Sequence, residues 1–313
     1  MLTRRHIRAK VMQSIYAFNK GNREVMQTEQ KFLKKSMKDM HDLFLLNLSL
    51  LVEVKEIASN YYELSKKKFL ATEADRQPNL NFTNNKLIQK LEDESNLFDL
   101  LSNRKLNQWK HDDEVPKQIW EDCLKSEFYS DYNSQKQSSF KDDKNFVIEL
   151  FKKIIAPNDF LYDYYEDNKL TWIDDFPIVN TSLVKFLSNI SEDDEQIKVP
   201  QLFANLDDED FANRLFTKSL LFNEEFETAL VGKTPNWDKD RIAELDRILI
   251  KMALCEFTQF SSIPIRVTIN EYLELAKNYS TPKSATFING VLDKLSKEFE
   301  ESGKINKIGR GLM

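Results

Sequence analysis

Residues 241–257 read RIAELDRILIKMALCEF, residues 263–280 read IPIRVTINEYLELAKNYS, and residues 283–295 read KSATFINGVLDKL. These three stretches decide the fold. In the first, Ile242, Leu245, Leu249, Met252 and Leu254 recur at helical spacing and mark an apolar face. Asn236, after a polar turn, is its expected N-cap. SSIPIRV then reads as a short extended link, and Thr268 with Glu271 fits a capping box that opens the next helix. The last helix is expected to start with Thr281 as N-cap and Pro282 at its first position. Upstream, FANRLFTKSLLFNEEFETALV (211–231) reads as one more amphipathic helix. Successive amphipathic helices on short links predict an all-α bundle.

Composition agrees. Only six glycines and eight prolines punctuate 313 residues, too few for a strand-and-turn fold, while 22 phenylalanines supply aromatic contacts between helices. Charged residues make up 31% and hydrophobic ones 41%, the balance of a globular protein. The longest apolar run, LFLLNLSLLVEV, is interrupted by Asn47 and Ser49 and is too short to span a bilayer, so no membrane partner is expected. Cys123 and Cys255 form no CxxC pair and read as reduced, buried thiols of a cytoplasmic protein.

The opening stretch, LTRRHIRAKVMQSIYAF (2–18), stands out against a net charge of -6. It carries Arg4, Arg5, Arg8 and Lys10, and no carboxylate appears before Glu24. Ile7, Val11, Ile15 and Phe18 form a helical stripe that Gly21-Asn22 ends. Arg8, Lys10, Gln13 and Ser14 interrupt the apolar core a secretory signal needs. A presequence, a solvated helix end and a nucleic-acid contact remain as readings of this segment.

The middle of the chain reads as a helical stretch from about Val25 to Leu70, in one piece or two, and a polar loop over 72–85. Helices follow over 86–108, 115–132 and 146–155, the last closed by Pro157. Two more, over 159–170 and 171–190, follow, with a break near Pro177. The clusters EDDE and DDED read as a solvated linker and a helix N-terminus. The basic tail GKINKIGRGLM reads as mobile.

Catalytic signatures are missing. The glycines form neither GxGxxG nor a P-loop, and GxSxG does not occur. His6, His41 and His111 are scattered, without metal-ligand spacing. No catalytic residue, metal or cofactor is indicated, and a non-enzymatic binding module is expected.

The order and spacing of the three C-terminal stretches resemble the NusB family of transcription antitermination factors. That family has a helix ending in an apolar run and a Glu, a Pro-containing link, an INE…ELAK helix, and a helix with F-[IV]-NG-[VIL]-LD. RRHIRAKVMQSIYAF resembles its arginine-rich first helix. The resemblance is to the long, Bacteroidetes-type form. It implies an N-terminal helix (1–23) and a C-terminal subdomain (207–301) of one NusB-like bundle of two packed subdomains, interrupted by a helical extension (24–206) and followed by a basic tail (302–313).

The resemblance also implies single-stranded, boxA-type leader RNA of ribosomal RNA and the ribosomal protein NusE as partners, in an RNA polymerase antitermination complex. RNA would meet Arg4, Arg5, Arg8 and Lys10 on the first helix, with Lys277, Lys283, Ser284 and Phe287 from a turn expected nearby. Asp246 would mark the protein-partner surface. Gly290, mid-helix, is read as a site of close helix packing. The competing expectation is a helical protein–protein adaptor that has lost RNA binding.

Overall fold

The computed structural model describes residues 2–21, 25–231 and 243–312, all-helical and without strands among them. Asn22, Asn236 and Ile242 lie outside the described residues. The chain forms two compact units: residues 1–37 with 202–313, and residues 38–201.

The first unit contains α1 (Arg4–Lys20), the opening turns of α2 (Met26–Lys66), α11 (Leu206–Leu221), α12 (Asn223–Leu230), α13 (Glu244–Gln259), α14 (Ile265–Tyr279) and α15 (Ser284–Glu301). Thr3 caps α1: its hydroxyl accepts from the His6 N–H, and His6 Nδ1 accepts from the Thr3 N–H. The expected stripe of α1 is inside, with Ile7 and Val11 fully buried and Ile15 nearly so, while Phe18 is half-buried. α13 is the central helix. Ile248, Leu249, Ile250, Met252, Leu254, Cys255 and Phe257 are all buried, which places apolar side chains around its whole circumference, and α1, α11, α14 and α15 pack on it. Leu245, expected on its apolar face, is only half-buried.

Several starts and stops differ from the sequence reading. α14 begins earlier, after Pro264, so Thr268 lies inside the helix; it is fully buried and its hydroxyl donates to Glu256 at 3.3 Å. The Thr268–Glu271 capping box therefore does not form. α15 begins at Ser284, not at Pro282, with no side-chain cap. FANRLFTKSLLFNEEFETALV divides at Phe222 into α11 and α12. Gly290 does not mark close packing, because a Cβ placed there would meet nothing within 4 Å. The tail is docked. The Ile308 N–H donates to the Ser261 carbonyl at 3.1 Å, and Lys307 Nζ donates to the carbonyls of Glu256 (3.0 Å) and Phe260 (2.9 Å). A Cβ on Gly311 would sit 1.9 Å from the Ser261 carbonyl oxygen, so only glycine fits there.

The second unit holds the rest of α2 with α3 (Glu73–Arg76), α4 (Lys86–Glu92), α5 (Ser95–Asn103), α6 (Glu114–Leu124), α7 (Glu127–Ser134), α8 (Phe140–Leu150), α9 (Asp159–Asn168) and α10 (Thr171–Asn189). α2 is one helix of 41 residues. The helix read over 86–108 is two, α4 and α5. The one read over 115–132 is also two, because Ser126 accepts from the Tyr129 N–H and caps a new helix. α8 ends in a π turn, Phe151–Ile155, whose Phe151 and Ile155 are buried. Pro177 lies inside α10 without breaking it, since Phe176, Val179, Leu183 and Leu187 hold both flanks in the core.

Aromatic packing dominates this unit: Phe82 stacks on Trp120 at 5.3 Å and meets Phe146 edge-on at 5.4 Å. Its polar hub is Asn85, fully buried. The Asn85 Oδ1 accepts from the N–H groups of Leu87 and Ile88, both at 3.1 Å, and Nδ2 donates to Tyr132 Oη (3.2 Å) and the Asp143 carbonyl (3.1 Å). Asn85→Ala strips a cap and leaves buried groups unpaired, so urea denaturation is expected to show a loss of about 2 kcal/mol.

Candidate nucleic-acid interface

The first turns of α1 and α14 build the candidate site around one buried carboxylate of α13. Glu256, near the end of α13, is inaccessible to solvent. It accepts from Arg8 Nε at 2.6 Å and Nη2 at 2.9 Å, and from Tyr272 Oη at 2.7 Å. The Arg8 guanidinium lies 5.1 Å from the Phe211 ring centroid and 5.9 Å from that of Tyr272. Burial disfavours charge on Arg8, yet the paired Glu256 outweighs it and the arginine pKa is raised. Burial, reinforced by Glu256, pushes the Tyr272 phenol well above its ordinary value.

Arg8 thus anchors the fold, and the expectation that it faces RNA is revised: its guanidinium is buried and fully engaged. Arg4 and Arg5, one turn earlier, remain about 40% exposed. Arg4 Nε donates to Asp208 at 2.9 Å, the carboxylate lying in the acidic first turn of α11. Arg5 grips Glu271 with Nε (3.0 Å) and Nη2 (2.8 Å). This hydrogen bond raises the Arg5 pKa and holds Glu271 below its ordinary range, although burial opposes both shifts.

These side chains open onto a cleft of about 810 Å³ between the start of α1 and the start of α14. Arg4, Arg5, Arg8 and Arg266 line it against one carboxylate, Glu271, and Ile263, Pro264 and Val267 form an apolar wall. Arg266 is exposed, and its guanidinium pairs with no carboxylate among the described residues. The sequence reading of SSIPIRV as an extended link does not single it out; Pro264 followed by helical residues is the available signal. His6 also lines the cleft, and burial, then Arg5, lowers its pKa.

The other expected site residues fall elsewhere. Lys10 is buried and not free. Ser284 is buried, with its hydroxyl donating to Asp246 at 2.7 Å; Asp246 is buried too and also accepts from Ser280. Asp246 therefore ties the α14–α15 turn to α13 and is not itself an exposed partner contact. Lys277 is exposed beside Glu274, Lys283 is exposed, and Phe287 is half-buried. Their turn is not beside the arginines. Asp246 marks its level on α13 and Glu256 marks that of Arg8, ten residues and about 15 Å apart along the helix. Arg266 and Lys277, eleven residues apart on α14, nevertheless fall within about 20° of each other around its axis.

The fold and the cleft define an all-α protein with an arginine-lined opening on one helical unit. The NusB family model matches residues 178–297, a span that does not take in α1. Over 104 residues the chain is 42% identical to the transcription antitermination protein NusB of Salinibacter ruber, covering 33% of this chain and 65% of that one. It is 34% identical over 110 residues to the protein of the same name from Chloroherpeton thalassium, with 35% and 52% covered. With that of Geobacter sulfurreducens it shares 39% over 93 residues, or 30% and 67%. The chain belongs to the NusB family. It spans 65% and 52% of the lengths of the first two of these relatives. No solved structure matches it. No helix among the described residues is long and apolar enough to cross a membrane.

Removing either partner of a buried ion pair strands the other charge. Arg8→Ala and Glu256→Ala are each expected to cost about 3–5 kcal/mol in chemical denaturation, and the double variant less than their sum. Glu271 has a pKa below its ordinary 4.5, so its contribution to stability is complete above pH 4.5 and is lost as pH falls through the folded-state value. In Arg5→Ala, NMR titration is expected to show Glu271 moving up toward 4.5, with a shallower acid loss of stability.

Proposed function

We propose that this protein is an RNA-binding transcription antitermination factor. It acts on boxA-type leader RNA of ribosomal RNA together with NusE, in the cytoplasm, as a binding protein and not an enzyme. The relatives' shared name supports the antitermination role, and the resemblance of the α1 and α13–α15 motifs supports the RNA and NusE partners.

The observation that carries RNA binding is the cleft, where Arg4 and Arg5, each about 40% exposed, and the exposed Arg266 meet solvent together in a chain of net charge -6. Single-stranded RNA is held through phosphates by cations and through splayed bases by stacking partners. Arg266 offers a guanidinium with no carboxylate partner among the described residues. Arg4 and Arg5 stay about 40% exposed while paired, so phosphate oxygens can reach the guanidinium edges that Asp208 and Glu271 leave open. The shared face of α14 then leads from Arg266 past Asn270 toward Lys277, and Lys283 and Phe287 follow at the next turn.

Fluorescence anisotropy with labelled leader RNA, with and without NusE, tests this. Wild-type affinity is expected to fall steeply with salt, and Arg4→Ala/Arg5→Ala/Arg266→Ala to weaken binding and reduce the log–log salt slope by about 0.7 per lost phosphate contact. Equal affinity and slope for this variant would refute the cleft as the RNA site. Absence of wild-type binding, even with NusE, would favour the adaptor reading.

A further inference from the structure

The second unit carries a groove that the RNA reading does not use. It lies between α2 and α6 and has a volume of about 380 Å³. Glu53, Glu56, Ile57, Tyr61 and Leu64 form its α2 wall, spaced so that all face one side of that helix. Asp113, Lys117, Trp120, Glu121 and Leu124 form the α6 wall with the same periodicity. The helices run in the same direction past it. At one end Asp113 acts on the Glu53 carboxyl, and further along Tyr61 meets Trp120 edge-on at 5.9 Å.

Two features set this groove apart from an ordinary solvated surface. Its floor and far end are apolar: Trp120 is 2% exposed, with its indole N–H buried and without an acceptor among the described residues, while Leu64 stands 67% exposed at the mouth. Phe69 and Leu70, just beyond the end of α2 in the chain, are exposed too, at 100% and 83%. Its rim is acidic. Glu53, Glu56, Asp113 and Glu121 line the groove with one lysine, Lys117, which is already paired with Asp113, and Lys110 also acts on Glu53. Burial, then Glu56, raises the Glu53 pKa, with Asp113 adding to the shift and Lys110 opposing it, as expected where negative charge is under-compensated.

We propose that this groove docks a basic amphipathic helix of a partner protein. Two parallel helical walls with apolar residues at heptad-like spacing leave a trough for a third helix, and the 11 residues of α6 give it a length of about 16 Å, three helical turns. The acidic rim selects lysine and arginine on the incoming helix, concentrated at the end that meets Glu53, Glu56 and Asp113. Large apolar side chains at its other end fill the space over Trp120 between Leu64 and Leu124. The same rim repels nucleic acid and anionic lipid headgroups.

The test uses the full-length chain and a fluorescein-labelled, three-turn amphipathic peptide of lysine, leucine and alanine, with a glutamate-for-lysine peptide as control. The lysine peptide is expected to bind and the glutamate peptide not to bind. Glu53→Gln/Glu56→Gln/Glu121→Gln and, separately, Leu64→Ser are each expected to weaken binding roughly tenfold or more. Glu192→Gln/Asp193→Asn/Glu195→Gln, in an exposed acidic turn outside the groove, is expected to leave binding unchanged. Circular dichroism melts of all variants should match wild type. Equal loss in both acidic variants would reduce the effect to bulk charge and overturn the proposal. So would unaltered binding in the groove variants, or a concentration-dependent dimer abolished by Leu64→Ser, which would make a second copy the occupant.

Discussion

One ion pair, Arg8 with Glu256, sets the register of the first unit. Two buried charges are tolerated because each is used several times over. The carboxylate accepts from both forks of the guanidinium, from Tyr272 and from Thr268, and so binds α1, α13 and α14 together. The guanidinium lies against Phe211 and so adds α11. Such a pair need not add net stability compared with apolar residues of the same shape. What it does impose is position: a sliding or rotation of α1 would unpair both charges in a dry site. With Arg8 fixed, Arg4 and Arg5, a turn away on the same side of the helix, must emerge at the cleft.

The same constraint explains how an acidic protein keeps a cationic opening. Asp208 and Glu271 hold Arg4 and Arg5 in place without burying them. The arginines are therefore ordered in advance, which lowers the entropic cost of meeting an anion. The carboxylates that order them also compete with it, so weak anions gain little. A strand presenting several phosphates in sequence gains from all the positions at once.

Much of this was legible in the sequence. The scarcity of glycine and proline, with apolar residues at helical spacing, led to an all-α fold, and the motifs of residues 241–295 led to the family. Element boundaries were less accessible. Ser126 and Phe222 divide stretches whose periodicity runs straight through them, and Pro177 fails to divide one because packing on both sides outweighs the lost hydrogen bond. The roles of charged residues were least accessible. Nothing local separates Arg8 from Arg4 and Arg5; the difference is a partner 248 positions away. Asp246 looked like a surface charge for the same reason, since its partners, Ser280 and Ser284, come from a turn more than thirty residues on.

The separation of Arg8 from Glu256 also has a meaning in time. Chains are synthesised at about 5–20 residues per second, so Arg8 leaves the ribosome roughly 12–50 s before its carboxylate does. Residues 38–201, a complete compact unit, emerge within that interval. During translation, therefore, the second unit can finish folding while the arginine-rich first helix still has no α13 to dock on. The helix that orders the cleft in the mature protein is, in the nascent one, an exposed cationic segment waiting for the last third of its own chain.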